Sequence, residues 1–172
     1  MRKIRLQQGF WTLVAVLVLA SVTISCDSLS KKRACDHWSR EVVHNFPNTN
    51  WAFEEEVLNF DFDIEDTTRN YEVSVVLVYD TNVVTLKDIP LSLILKMPDG
   101  MQSISQSHFL LDKANNPDIK MLQGNNAELA VVVYPRRKFK NPGTHTLTVY
   151  RRAEKADNYG FISLSTKVKV VK

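Results

Sequence analysis

Two carboxylate groupings are the first candidates for chemistry: Glu54-Glu55-Glu56, and the alternating pair Asp61 and Asp63. A glycoside hydrolase sets two carboxyls across a cleft, one as acid and one as base or nucleophile. Asp61 and Asp63 instead stand two apart in a stretch of strict alternation, side by side on the wet face of a strand. They read as solvation of that face, and Glu54 to Glu56 as a soluble strand start. His37, His44, His108 and His145 are scattered, without the spacing of a metal site. No Gly-x-Ser-x-Gly or His-Glu-x-x-His sequence occurs, and the five glycines form no phosphate-cradling loop. Neither a catalytic reaction nor a cofactor is expected.

Binding chemistry has two candidates. "YPRRKFKNPGTH" gathers Arg136, Arg137, Lys138 and Lys140 around Phe139. These cations suit an acidic partner, a glycan phosphate or lipid headgroups. A charge run is more often a solvated turn, and that reading is preferred. Trp51, Phe53 and Tyr159 suit a sugar-stacking platform, whereas aromatics at strand ends are more often core plugs.

Cys26 carries the most specific chemistry. Three basic residues, Arg2, Lys3 and Arg5, precede an apolar run from Phe10 to about Ile24. A membrane-spanning helix needs roughly 20 apolar residues. The run is shorter and ends in small residues, which is the pattern of a secretory signal; the alternative is an uncleaved anchor. Thr23-Ile24-Ser25-Cys26 resembles a lipobox, where a bacterial lipoprotein is cleaved before the cysteine and acylated on its sulfur and freed amine. A buried methylene adds about 0.8 kcal/mol, so two or three chains hold a protein on a bilayer without a spanning helix. Residues 1–25 are then signal peptide. Cys35 is left an incidental thiol.

What must such an anchor carry? The first 25 residues hold three basic and no acidic side chains, which leaves 19 of each sign from Cys26 onward. That balance removes the bulk-charge argument for nucleic-acid binding. The 147 residues after the signal fit one ordinary domain. Residues 26–45 are polar and suit a tether, with Trp38, Val42 and Val43 docking on the domain as a helical turn or an edge strand. Residues 46–172 alternate. "EVLNFDFDIED" aligns Leu58, Phe60, Phe62 and Ile64 on one face, and "YEVSVVLVYD" aligns Tyr71, Val73, Val75, Leu77 and Tyr79. "PLSLILKMPDG" aligns Leu91, Leu93, Leu95 and Met97 before a Pro-Asp-Gly turn, and "MQSISQSHFLL" has the polarity of an edge strand. An Asn-rich loop over 112–126 leads to the apolar "AELAVVVYP", then "HTLTVYRRA" and "FISLSTKVKVV". Seven or eight strands with turn signals between them predict an antiparallel β-sandwich, Ig-like or jelly-roll-like.

The order of these features resembles the gliding-motility lipoprotein GldH family of the Bacteroidota. Four stretches carry it: Cys26 with its short tether, "NFDFDIEDTTRNYEVSVVLVYDTN", "PLSLILKMPDG" and "NPGTHTLTVYRR". The resemblance implies a non-enzymatic cell-envelope lipoprotein associated with gliding and its linked secretion apparatus, docking on other envelope proteins. Cys26 is the residue that transfers, as the acylation site. Asp27-Ser28-Leu29 and Asp66-Thr67-Thr68 are similar to the O-glycosylation motif of exported proteins in that phylum, which marks Ser28 and Thr67. The expected location is a cell or outer membrane, facing the periplasm. A glycan- or peptide-binding module on the same anchor is the alternative.

Overall fold

The computed structural model describes residues 38–52, 57–152 and 158–172. The strands are β1 (Ser39–Asn45), β2 (Asn50–Trp51), β3 (Val57–Ile64), β4 (Asn70–Asp80), β5 (Asp88–Lys96) and β6 (Gln102–Leu110). They continue with β7 (Lys120–Met121), β8 (Asn126–Arg137), β9 (Gly143–Arg151), β10 (Asn158–Tyr159) and β11 (Phe161–Val171). Every pairing is antiparallel.

The long strands form two sheets, β1-β11-β4-β8 with β7 beyond, and β3-β9-β5-β6; β2 and β10 pair separately. Among the described residues the chain crosses between sheets at almost every step, and β5-β6 is the one long hairpin within a sheet. This is the strand order of a jelly roll, one of the two topologies that the alternation allows. The inward sets read from the sequence meet in one core. Leu58, Phe60, Phe62 and Ile64 of β3 and Tyr71, Val73, Val75, Leu77 and Tyr79 of β4 are all buried. Ile89, Leu91, Leu93 and Leu95 of β5 and Leu147 and Val149 of β9 complete the layer.

Three features differ from the sequence reading. Residues 39–45 are not tether. They take the strand alternative, pairing with β11 from Ser39↔Lys169 to Asn45↔Ser163, so the unit begins at Ser39 rather than residue 46. Met97 ends the alternation of β5 instead of extending it: its N–H bonds Met101 O, and Gly100 N–H bonds its carbonyl, which closes the turn. β8 is less buried than its composition suggests. Beyond Leu129 its side chains are half-buried or exposed, with Val132 47% exposed. β7 covers only Ala127 and Glu128, so among the described residues the rest of β8 is an open edge.

The two ends of the sandwich differ in function-bearing content. The near end holds the start of β1, the end of β11, and the turns 65–69, 97–101 and 138–142. The far end holds the loops 81–87 and 111–119 and the short β2–β10 pair.

Candidate functional site

The far end contains a cleft of about 230 Å³ lined by Val83, Val84, Thr85, Leu86, Asn158, Tyr159 and Phe161. Its floor is fixed by the backbone. The Asp80 carboxylate accepts the Asn82 N–H at 2.8 Å, and the Asp80 carbonyl accepts the N–H groups of Val83 and Val84. Gly160 lies at φ +93°, and a Cβ there would stand 2.8 Å from Val84 Cγ2 and 2.9 Å from Val83 Cβ. Only glycine lets the loop approach this closely. Tyr159 is 59% exposed and Leu86 37% exposed, so an aromatic face and an aliphatic wall meet at the rim. The sequence reading had Tyr159 but missed the wall. Its signal was three apolar residues, Val83, Val84 and Leu86, in a segment without strand periodicity.

Trp51 does not join this rim, which corrects its reading as a binding residue. It is fully buried. Phe46 stacks on it at 5.0 Å, Phe161 meets it edge-on at 5.8 Å, and the Arg151 guanidinium lies 5.2 Å over its ring. A sugar needs an open ring face, and both faces here are taken. Phe53, the third aromatic of the expected platform, lies outside the described residues.

The basic turn sits at the near end and divides into two roles. Arg136, Lys138 and Lys140 are exposed and make no ion pair among the described residues. Arg137 is half-buried. Its guanidinium lies 4.6 Å over the Tyr134 ring, and Nη1 donates to Ser103 Oγ at 3.5 Å. Phe139, between two exposed lysines, is buried in the core. The turn is thus a plug with three outward cations, and Arg137 belongs to the scaffold.

Beneath Phe139 lies His145, 1% exposed. Nδ1 stands 3.0 Å from the Gly143 carbonyl; a carbonyl only accepts, so Nδ1 carries the proton. Nε2 faces aromatic surroundings without a hydrogen-bond partner. Burial therefore holds the imidazole below the usual histidine range, with the nearby Arg137 charge acting in the same direction. Above about pH 6.5 the ring is neutral in both folded and unfolded chains and has no effect. Below it, the unfolded chain takes a proton that the folded one refuses. Stability then falls as pH drops toward the folded pKa, by at most about 1.4 kcal/mol per pH unit. Urea melts at pH 7.5 and 5.5 will show this loss, and His145→Leu will reduce it. An equal loss in the variant would exclude His145 as its source.

The other expected site residues are placed as follows. Asp61 and Asp63 lie on the outer face of β3 and accept hydroxyls from Thr146 and Thr144 of β9 at 2.6 and 2.7 Å. They form a cross-strand ladder with Asn59 and Thr148, as a solvated face would. Thr67 is half-buried in the β3–β4 turn. Asp66 before it is committed to that turn, accepting from the Thr68 hydroxyl at 2.6 Å, the Thr68 N–H at 2.9 Å and Arg69 at 2.9 Å. These bonds, led by the Thr68 hydroxyl, hold its carboxyl below the usual range. Cys26, Ser28 and Cys35 lie outside the described residues. Among the described residues, no group of three or more His, Cys, Asp and Glu could hold a metal ion, and no helix is long and apolar enough to cross a membrane.

No family model matches the chain, and no curated protein matches it. Solved structures similar in scaffold include dimeric latent PorU from Porphyromonas gingivalis, at 12% identity over 78% of this chain and 13% of that one, with a TM-score of 0.37. The infectious bursal disease virus Gx strain structure is 11% identical over 77% of this chain and 32% of that one, with a TM-score of 0.42. A non-crystalline-cellulose-specific carbohydrate-binding module, CBM28, is 14% identical over 76% and 69%, with a TM-score of 0.38. The chain thus spans about an eighth of the PorU chain and a third of the viral one. At these scores the likeness assigns neither a ligand nor an activity.

Proposed function

We propose that this chain is a non-enzymatic, lipid-anchored lipoprotein of the cell envelope that docks on other envelope proteins, the accessory role associated with the GldH family in gliding motility. Cys26 is the acylation site of this reading. One observation carries the docking half. Among the described residues β6 pairs only with β5, and β8 beyond Leu129 pairs only with β4. These two open edges run along the same flank, joined by Tyr134 to Ser103 at 3.4 Å. Ile104 at 72% and Val132 at 47% exposure stand on them. Unpaired backbone groups beside exposed aliphatics form a template for strand addition by a partner.

Two measurements test the two halves. Metabolic labelling with an alkyne fatty acid will mark wild type and leave Cys26→Ala unmarked; an unmarked wild type ends the anchor reading. A photo-crosslinking residue at Ile104 or Val132 will capture a discrete protein in native membranes. If it captures nothing beyond a control at Thr148 on the outer face of β9, the flank is not the docking surface.

A second reading rests on the far-end cleft. Its apolar wall beside an exposed Tyr159 suits the nonpolar face of a sugar or a peptide side chain. A glycan array with wild type and Tyr159→Ala decides it. Signal that vanishes in the variant supports the cleft, and signal equal in both removes it.

A further inference from the structure

We infer that the near end of the jelly roll, bearing Arg136, Lys138, Lys140 and Lys172, lies against anionic phospholipid headgroups of the leaflet that holds Cys26. This rests on the anchored reading above and adds an orientation and a ligand to it.

The sequence sets the geometry. Twelve residues, 27–38, separate Cys26 from Ser39, so the two are at most about 45 Å apart even with the chain fully drawn out. Ser39 pairs with Lys169 near the end of β11, and β4 opens there at Asn70 opposite Val171. The chain from the anchor therefore enters the body at the near end. β11 is 11 residues long, which puts the far end about 35 Å away.

Charge distinguishes the same end. Asp63 is bound by Arg40 at 3.3 Å, Asp66 by Arg69 at 2.9 Å and Glu72 by Lys169 at 2.8 Å. Asp99 accepts from Asn141 at 2.5 Å. Three carboxylates of this end are thereby ion-paired, whereas Asp99, bonded to a neutral amide, and Glu65 keep their charge. Arg136, Lys138, Lys140 and Lys172 are exposed and have no ion-pair partner among the described residues. Among the described residues the far end shows no such excess, with Asp80, Asp88, Asp112 and Asp118 against Lys87, Lys113 and Arg152. Phe139 pins the turn that bears three of the cations, so they are presented together at low cost in backbone order.

A basic side chain near an anionic leaflet strengthens attachment about five-fold. The effect is confined to roughly a Debye length, about 8–10 Å at physiological salt, so only a face that lies against the leaflet feels it, and the near end is the one with cations to respond. An anchor at Cys26 keeps that end within reach and lets weak attraction act at high effective concentration.

Hydrogen exchange of the full mature protein in lipid nanodiscs tests the inference. In nanodiscs containing phosphatidylglycerol, the 138–141 amides will exchange about five-fold or more slowly than in pure phosphatidylcholine. The contrast will collapse at about 1 M NaCl. It will also collapse in the Arg136→Gln/Lys138→Gln/Lys140→Gln variant, whose exposed positions leave the melting temperature near wild type. Amides of 81–87 will be indifferent to lipid. Equal exchange at 138–141 in both lipids, or protection that survives the triple variant, overturns the inference and assigns the turn to solvent or a protein partner. Intact mass of the same sample reports the acyl chains on Cys26. An unacylated chain with a protected turn removes the anchor and keeps the face; an acylated chain with an unprotected turn does the reverse.

Discussion

Trp51→Ala will melt about 10–15 °C below wild type, a loss of about 3–5 kcal/mol for a buried tryptophan in a domain of this size. Trp51 is the largest fully buried side chain among the described residues. It plugs the far end where η1 (Pro47–Thr49) turns the chain from β1 into β2. Removing it deletes the stacked contact with Phe46 and the edge contact with Phe161, and leaves a void beside the β2–β10 pair. It also removes the ring beneath Arg151, a cation only 2% exposed that donates to Ala52 O at 3.3 Å. The guanidinium thereby loses its cation–π contact, which adds to the cavity term. Thermal unfolding by near-ultraviolet circular dichroism checks the shift. Tyr159→Ala, at a side chain 59% exposed, serves as the control and will stay within about 0.5 kcal/mol. A Trp51→Ala melt as high as that of the control would place the ring outside the core.

The contrast between these two aromatics shows what the sequence can and cannot display. Alternation reports a face, because strand side chains have a period of two and the sets Leu58 to Ile64 and Tyr71 to Tyr79 leave no other way to bury themselves. The all-β class and seven of the eight long strands were legible for that reason. β1 was ambiguous because "SREVVHN" sets a single pair of valines among polar residues, and only pairing with β11 decides its state. Trp51 and Tyr159 both lie in two-residue strands, too short for any period. Which of them is inside depends on Phe46, Phe161 and Arg151, brought from distant parts of the chain. The openness of β8 was hidden in the same way. "AVVVY" reads as core, but burial there depends on a neighbour strand, and β7 ends after two residues. The cleft was hidden because its shape comes from a glycine at φ +93° rather than from any polar motif.

Phe139→Ala is the second large effect, and it separates plug from charge in the near-end turn. Phe139 is 1% exposed although Lys138 and Lys140 beside it are exposed. Its ring lies 4.5 Å from His145, 5.6 Å from Tyr71 and 6.1 Å from Phe62. Truncation will cost about 3–5 kcal/mol, since aromatic neighbours from three strands cannot collapse into the void together. A structural cost alone would not identify the plug's second duty, which is to keep water from His145. With the ring gone, solvent reaches Nε2 and the imidazole pKa rises toward its ordinary value near 6.5. Folded and unfolded chains then take up the proton over the same range. The stability lost between pH 7.5 and 5.5 will therefore be smaller in Phe139→Ala than in wild type, even though the variant is weaker at both values. Urea melts at the two pH values give both readings from one protein. Lys138→Ala, next to the plug but solvent-facing, will change stability by no more than about 0.5 kcal/mol and keep the wild-type pH slope. If Phe139→Ala loses under about 1 kcal/mol, the turn is held by its backbone and not by its aromatic knob. If it loses the full amount but keeps the wild-type slope, the rings of Phe62 and Tyr71 are enough to exclude water from the histidine.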